Sequence, residues 1–125
     1  MYKIGTNYTF EAEHKLPFEG GDESKRHGHD YKLEVIVSGS HLDEMGFLVD
    51  IVKLKEVVSE IISRYEGNYL NDMEEMHGKV PSLENLAYLI WESALPGIES
   101  LGVSLEEIIL WEDEFSWTSY TGGID

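Results

Sequence analysis

The order of periodicities along the chain predicts an α+β fold, a four-stranded antiparallel sheet with two helices on one face in the order β-β-α-α-β-β. Three observations predict it. Two opening and two closing stretches are rich in strand-forming residues, with apolar and polar positions alternating most clearly in the second. Two central stretches carry apolar residues at helical spacing. No internal repeat, low-complexity tract or Pro/Gly-rich linker interrupts them, so residues 1–125 read as one domain.

The first stretch, YKIGTNYTFEAEHKL, is rich in Tyr, Thr, Phe and Ile and predicts a strand to about His14. LPFEGGDESKR follows, and Pro17, Gly20 and Gly21 mark it as a loop. DYKLEVIVSGS sets Tyr31, Leu33, Val35 and Val37 against more polar or smaller neighbours, the pattern of a half-buried strand. HLDEMG is a turn. Asp50 then stands as a helix N-cap, and Leu54, Val57, Val58, Ile61, Ile62 and Tyr65 share one helical face up to a stop at Gly67. NYLNDMEEMHGKV reads as a polar loop. Pro81 and Ser82 open a second helix, with Leu83, Leu86, Ala87, Leu89, Ile90 and Ala94 apolar and Pro96 expected to end it. Two strands close the chain, Ser104 to about Glu112 and Phe115 to Tyr120.

Composition limits the function classes. The chain is 42% apolar and 11% aromatic, ordinary for a globular fold, and it has no apolar run long enough to span a bilayer. With no cysteine, it forms no disulfide, thiolate nucleophile or cysteine-based metal site. The opening MYKIGTNYTF has no basic region followed by an apolar block, so no signal peptide and a cytoplasmic location are expected. A net charge of −16 argues against nucleic acid or an anionic membrane as the partner, since both require a basic face.

His27 and His29 are separated by one glycine at the mouth of the second strand. Alternate strand residues point to one face, so both imidazoles can serve one metal. His14 ends the preceding strand and falls beside them if the two strands pair. Three imidazoles with one open position form a catalytic type of zinc site, although neutral imidazole also suits other transition metals. Read singly, such histidines are ordinary surface residues, and His41 and His77 read as loop residues. Gly21, His27, His29 and Glu34 also fit most of the strand motif of cupins, with His41 where its last glycine would stand. A cupin barrel needs further strands here, whereas the chain supplies two helical segments and no second histidine motif.

Taken in order, FEAEHKLP, HGHDYKLEV, GFLVDIVKLK, YLND, PSLENLAYLIW and LWED resemble the 6-pyruvoyl-tetrahydropterin synthase and 6-carboxy-tetrahydropterin synthase family over nearly the full chain. The resemblance implies the tunnelling fold, with trimers stacked into a homohexamer, and a lyase acting on a dihydropterin. It implies Zn²⁺ held by His14, His27 and His29. It places Glu112 of LWED as the anchor of the pterin ring, whose 2-amino and ring N–H groups a carboxylate can accept together. Ser82 and Glu84 match a substrate-binding block, although Ser82 is also a sufficient helix cap.

The chain departs from this pattern at the proton-transfer groups. Relatives use a cysteine shortly before His-x-His, and Glu23 stands at that position here. Where an Asp-His pair is expected, the chain has Glu66 and Gly67. Glu23 resembles the branch that cleaves a dihydropterin side chain to 6-hydroxymethyl-dihydropterin, with Glu23 as base and His77 as a proton donor from a mobile loop. Pyruvoyl- or carboxy-forming activity, and a non-catalytic pterin- or metal-binding role, are the alternatives. Lys15, Lys25 and Arg26 are candidate phosphate contacts, and the acidic balance favours dihydroneopterin or its monophosphate over a triphosphate.

Overall fold

Both opening stretches become long strands because their alternation can bury one face and leave the other in water. The computed structural model describes residues 1–18 and 20–123. Strand β1, Tyr2–His14, pairs antiparallel with β2, His27–Gly39, along its whole length. Strands β3, Ser104–Trp111, and β4, Trp117–Tyr120, complete a four-stranded antiparallel sheet in the order β1-β2-β3-β4. Helices α1, Ile51–Ile62, and α2, Leu83–Glu99, complete the expected architecture. β2 begins at His27, earlier than the alternation alone indicated, because the β1 ladder carries it to His14. β4 begins at Trp117 rather than Phe115, since Asp113 folds residues 113–116 into a turn by accepting the Phe115 and Ser116 N–H groups.

The core lies between one sheet face and the helices. Phe10 and Ala12 of β1 meet Tyr31, Leu33, Val35 and Val37 of β2, all buried. Full burial of a Leu- or Val-sized side chain contributes about 1.5–3 kcal/mol each, so this layer dominates local stability. β3 joins it through a bulge. Ile36 pairs with Glu107 but Val37 with Leu105, leaving Glu106 as the extra residue. That one-residue shift turns both Leu105 and Ile108 into the core. The Glu106 carboxylate accepts from the buried Ser38 hydroxyl at 2.8 Å and faces Lys3 at 3.8 Å.

The Asp50 carboxylate accepts from Val52 and Lys53, which caps α1 as expected, and Leu54, Val58, Ile61 and Ile62 bury its apolar face. Ser82 caps α2 by accepting from Asn85 N–H at 3.1 Å. Pro96 does not end α2; it lies inside the helix, which continues to Glu99. Proline removes one N–H bond to the preceding turn, but buried Ala94 and Ile98 on either side hold the last turn against the core. At neighbouring Gly97, a Cβ would lie 2.8 Å from Val57 Cγ1, so this residue lets α2 pass close to α1.

The segment after α1 is not simply polar. Leu70 and Met76 are buried, each within a short 3₁₀ turn, Leu70–Asp72 and Glu74–Met76. Tyr65 is buried as well, although α1 has already ended. The chain then runs along the edge of β1: Gly67 N–H donates to Glu11 O, Glu13 N–H donates to Asn68 O, and Tyr69 bridges Glu13. The Asn71 side chain brackets Lys15, accepting its N–H at 2.8 Å and donating to its C=O at 3.0 Å. This cover protects the histidine end of the sheet. Among the described residues, the edge from Lys3 to Thr9 has no such cover. No helix of the described residues is long and apolar enough to cross a membrane.

Candidate metal centre

The three histidines extend the core by one layer. In the β1–β2 ladder His14 pairs with His27, and Ala12 pairs with His29. Even positions of β1 and odd positions of β2 face the helices, so all three rings lie beyond the stacked Phe10 and Tyr31. His29 meets the Tyr31 ring edge-on at 5.6 Å. His14 is buried, while His27 and His29 are half-buried and face the open end.

Hydrogen bonding sets their tautomers. His14 Nδ1–H donates to Pro81 O at 2.9 Å, and His27 Nδ1–H donates to Lys25 O at 2.7 Å. A carbonyl only accepts, so each Nδ1 carries the proton and each neutral ring has a bare Nε2. Those two nitrogens face each other at 2.8 Å, and His29 Nε2 lies 3.1 Å from His14 Nε2. Lone pairs so close repel unless a positive charge, a metal ion or a proton on one ring, lies between them. A tetrahedral ion with nitrogen bonds of about 2.0–2.1 Å sets its donors roughly 3.3 Å apart, a little wider than the 2.8 and 3.1 Å found, so small ring movements would admit it. The residues therefore fit a transition metal, with Pro81 and Lys25 carbonyls orienting two of its ligands.

Two carboxylates flank the trio. Glu23 lies on a single 3₁₀ turn, Asp22–Ser24, entered through Gly21 at φ 74, a conformation that favours glycine. Glu23 O accepts from Leu16 N–H at 2.9 Å, and its Oε2 is 3.3 Å from His27 Nε2. The donor atoms of His14, Glu23, His27 and His29 all lie within 4.8 Å of one another. The position expected to be open thus has a carboxylate beside it.

Glu112 enters from the end of β3. It continues the face of Ile108 and Leu110 just past β3, bringing Oε1 to 3.2 Å from His29 Nε2 and 3.8 Å from His14 Nε2. Burial raises its pKa above the usual carboxylate value, opposed by His29. A cavity of about 560 Å³ opens beside it, lined by His29, Lys32, Trp111, Glu112 and Asp113. A second, of about 420 Å³, is lined by Lys15, Tyr69, Asn71, Lys79 and Pro81, the last of which binds His14.

The remaining candidates are dispersed. Ser82 follows Pro81 and spends its hydroxyl on the α2 cap; Glu84 is exposed in the first turn. His77 is exposed beside buried Met76, on a segment anchored to the core, and does not join the metal-ligand group. Glu66 accepts from Glu11 N–H at 2.8 Å on the β1 edge. Arg26 pairs with Glu13 at 2.8 Å and covers the Tyr69 ring, so its charge is already matched. Sequence reasoning missed the Pro81 carbonyl, Lys79, and the closeness of Glu112 to the histidines. Only the last had a signal, the alternation from Ile108 through Leu110 to Glu112.

Residues 3–123 match the family model described as 6-pyruvoyl tetrahydropterin synthase. A 6-pyruvoyl tetrahydrobiopterin synthase of Dictyostelium discoideum is 33% identical over 98 residues, covering 77% of this chain and 70% of that protein. A dihydroneopterin monophosphate aldolase of Pyrococcus furiosus is 34% identical over 107 residues, covering 83% of each. Among solved structures, Caenorhabditis elegans 6-pyruvoyl tetrahydropterin synthase superposes with a TM-score of 0.86 at 23% identity, covering 98% of this chain and 96% of that one.

Burial is the largest influence on His14 and holds its pKa below the ordinary imidazole value, with His27 and His29 adding to the effect. In metal-free protein, the unfolded chain therefore binds this proton more readily than the folded one. The His14 contribution to stability is complete above the unfolded value of 6.5 and is lost as pH falls below it. Urea denaturation of chelator-treated protein above and below that pH should show the loss, and His14→Gln should reduce it. An equal acid sensitivity in the variant would place the effect elsewhere.

Proposed function

The chain belongs to the 6-pyruvoyl tetrahydropterin synthase family, and on that premise we propose that it is a zinc-dependent pterin enzyme that cleaves the side chain of dihydroneopterin or its phosphate. The product is 6-hydroxymethyl-dihydropterin. The observation that carries this reading is a carboxylate, Glu23, beside the histidines at 3.3 Å from His27 Nε2 in a chain without cysteine. The aldolase name of the Pyrococcus furiosus relative supports it.

In the retro-aldol step, Glu23 takes the proton of the 2′-hydroxyl. The C1′–C2′ bond breaks, C2′ becomes an aldehyde, and the electron pair passes into the ring imine. A proton then returns to C1′. This needs a base of moderate strength and no exchange of protons between side-chain carbons, so it tolerates the absence of Cys and Asp-His. A zinc ion on His14, His27 and His29 would supply Lewis acidity that makes the side-chain hydroxyls easier to deprotonate. Glu112, Ser82 and Glu84 are assigned to substrate binding. Glu112 is assigned as the anchor of the pterin ring, whose N–H groups its carboxylate can accept, and it lies 3.2 Å from His29 Nε2. His77, exposed beside Met76, is assigned as a secondary proton donor. Lys15 and Lys79 beside the second cavity favour a monophosphate, and the overall charge of −16 opposes a triphosphate.

A second reading, formation of the 6-pyruvoyl product, is favoured by the name of the Dictyostelium discoideum relative. We also propose trimers stacked into a hexamer, since the Lys3–Thr9 edge and short β4 invite pairing between chains.

Elemental analysis of purified protein should give one zinc per chain, and His27→Ala and His29→Ala should each lose it; full metal content in both variants would move the site. Incubation with dihydroneopterin, its monophosphate and its triphosphate, with products identified by mass, should give 6-hydroxymethyl-dihydropterin. Glu23→Gln should lower that turnover about 10²–10⁴-fold while metal and pterin still bind. A pyruvoyl product selects the second reading, and binding without product selects a non-catalytic role. Sedimentation velocity should show a trimer-based assembly, and a monomer would refute it.

A further inference from the structure

We propose that Glu23 is the fourth metal ligand of the resting protein, a displaceable carboxylate that closes the site until substrate takes its place. This rests on reading the histidine trio as a metal centre. It goes further by giving the base a second, earlier role, and by predicting that the resting site has no open position.

The geometry of the turn supports it. Glu23 Oε2 is 3.3 Å from His27 Nε2, about the edge of a tetrahedron of donors around an ion with bonds of about 2.0–2.1 Å. Its carboxylate shares a volume with all three imidazoles, with every donor atom within 4.8 Å of the rest. Glu112 Oε1 lies 3.2 Å from His29 Nε2 and 3.8 Å from His14 Nε2, but it is not a member of that four-residue group.

The way Glu23 is held makes it displaceable. Its backbone is fixed: Glu23 O accepts from Leu16 N–H, and Ser24 Oγ–H donates to Gly21 O at 2.9 Å to tie the turn. Its side chain is half-exposed, and its single ion pair among the described residues is with His27. The carboxylate can therefore swing off the histidines by side-chain rotation alone. A dihydropterin side chain brings two vicinal hydroxyls, and two oxygens arriving together compete well against one monodentate carboxylate. Once displaced, Glu23 remains on the same anchored turn, within reach of the hydroxyl it is to deprotonate. Substrate entry and delivery of the base then become one event, and small anions find no vacant position beforehand.

Cobalt-substituted protein tests this by visible absorption. Azide should leave the spectra of the wild type and Glu112→Gln unchanged, and should shift those of Glu23→Gln and Glu23→Ala. Competition with a chromophoric chelator should show metal affinity reduced at least about tenfold in both Glu23 variants, the loss typical even of an outer partner of a metal site. Complete loss of cobalt from Glu23→Ala that keeps its circular dichroism spectrum is the extreme of the same result, whereas Glu23→Gln keeps enough affinity to be loaded. An azide response in the wild type, unchanged affinity in the Glu23 variants, or opening of the site by Glu112→Gln instead would overturn the assignment while leaving the metal centre standing. If wild-type protein takes up no cobalt, the metal centre itself fails, and the ligand assignment with it.

Discussion

Two bare imidazole nitrogens facing each other at 2.8 Å across the last pair of the β1–β2 ladder are the constraint on which this molecule turns. A positive charge between them, whether a metal ion or a proton added to one ring, relieves the repulsion while both bonds to backbone carbonyls are kept. One of those carbonyls, Pro81 O, stands at the start of α2, and the other, Lys25 O, at the end of the loop between the first two strands. The demand for a positive charge at one point is therefore linked to the placement of a helix, a loop and two strand ends. The hydrophobic layer of Phe10 and Tyr31 directly beneath leaves no room for the rings to relax inward.

Much of this arrangement was legible in the sequence because it follows from short-range rules. Alternation placed Tyr31, Leu33, Val35 and Val37 on one face, and with them His27 and His29. The caps at Asp50 and Ser82 were read from residue type and were found by hydrogen bonding. What escaped depends on tertiary contact. Leu70 and Met76 are isolated apolar residues in a polar stretch, too few to show a period, and become core only because the chain folds back along β1. Pro96 carries a strong local stop signal that burial on either side overrides. The bulge at Glu106 leaves no local mark, since its position depends on which residues of β2 lie opposite. The tautomers of His14 and His27 are set by carbonyls that any residue could supply, so no side-chain pattern announces them.

Charge is distributed with the same logic. A chain of net charge −16 draws cations toward every concavity, and two of its carboxylates, Glu23 and Glu112, sit directly against the histidines. Lys15 and Lys79 are a local exception, set around a cavity on the Pro81 side of His14. A ligand with one anionic group would find a foothold there, while a longer polyanion would extend into a repulsive field.

The loop from Lys15 to Arg26 begins just after His14 and ends just before His27, with Glu23 between them. An ion gripped at those points would act as a reversible cross-link, closing the loop as a covalent bridge does in chains that have cysteine. Fixing both ends of a segment removes conformational freedom mainly from the unfolded chain. In a protein without a single thiol, an ion at the histidines would then fasten the loop between β1 and β2, and its departure would loosen Glu23, Lys15 and Lys25 together.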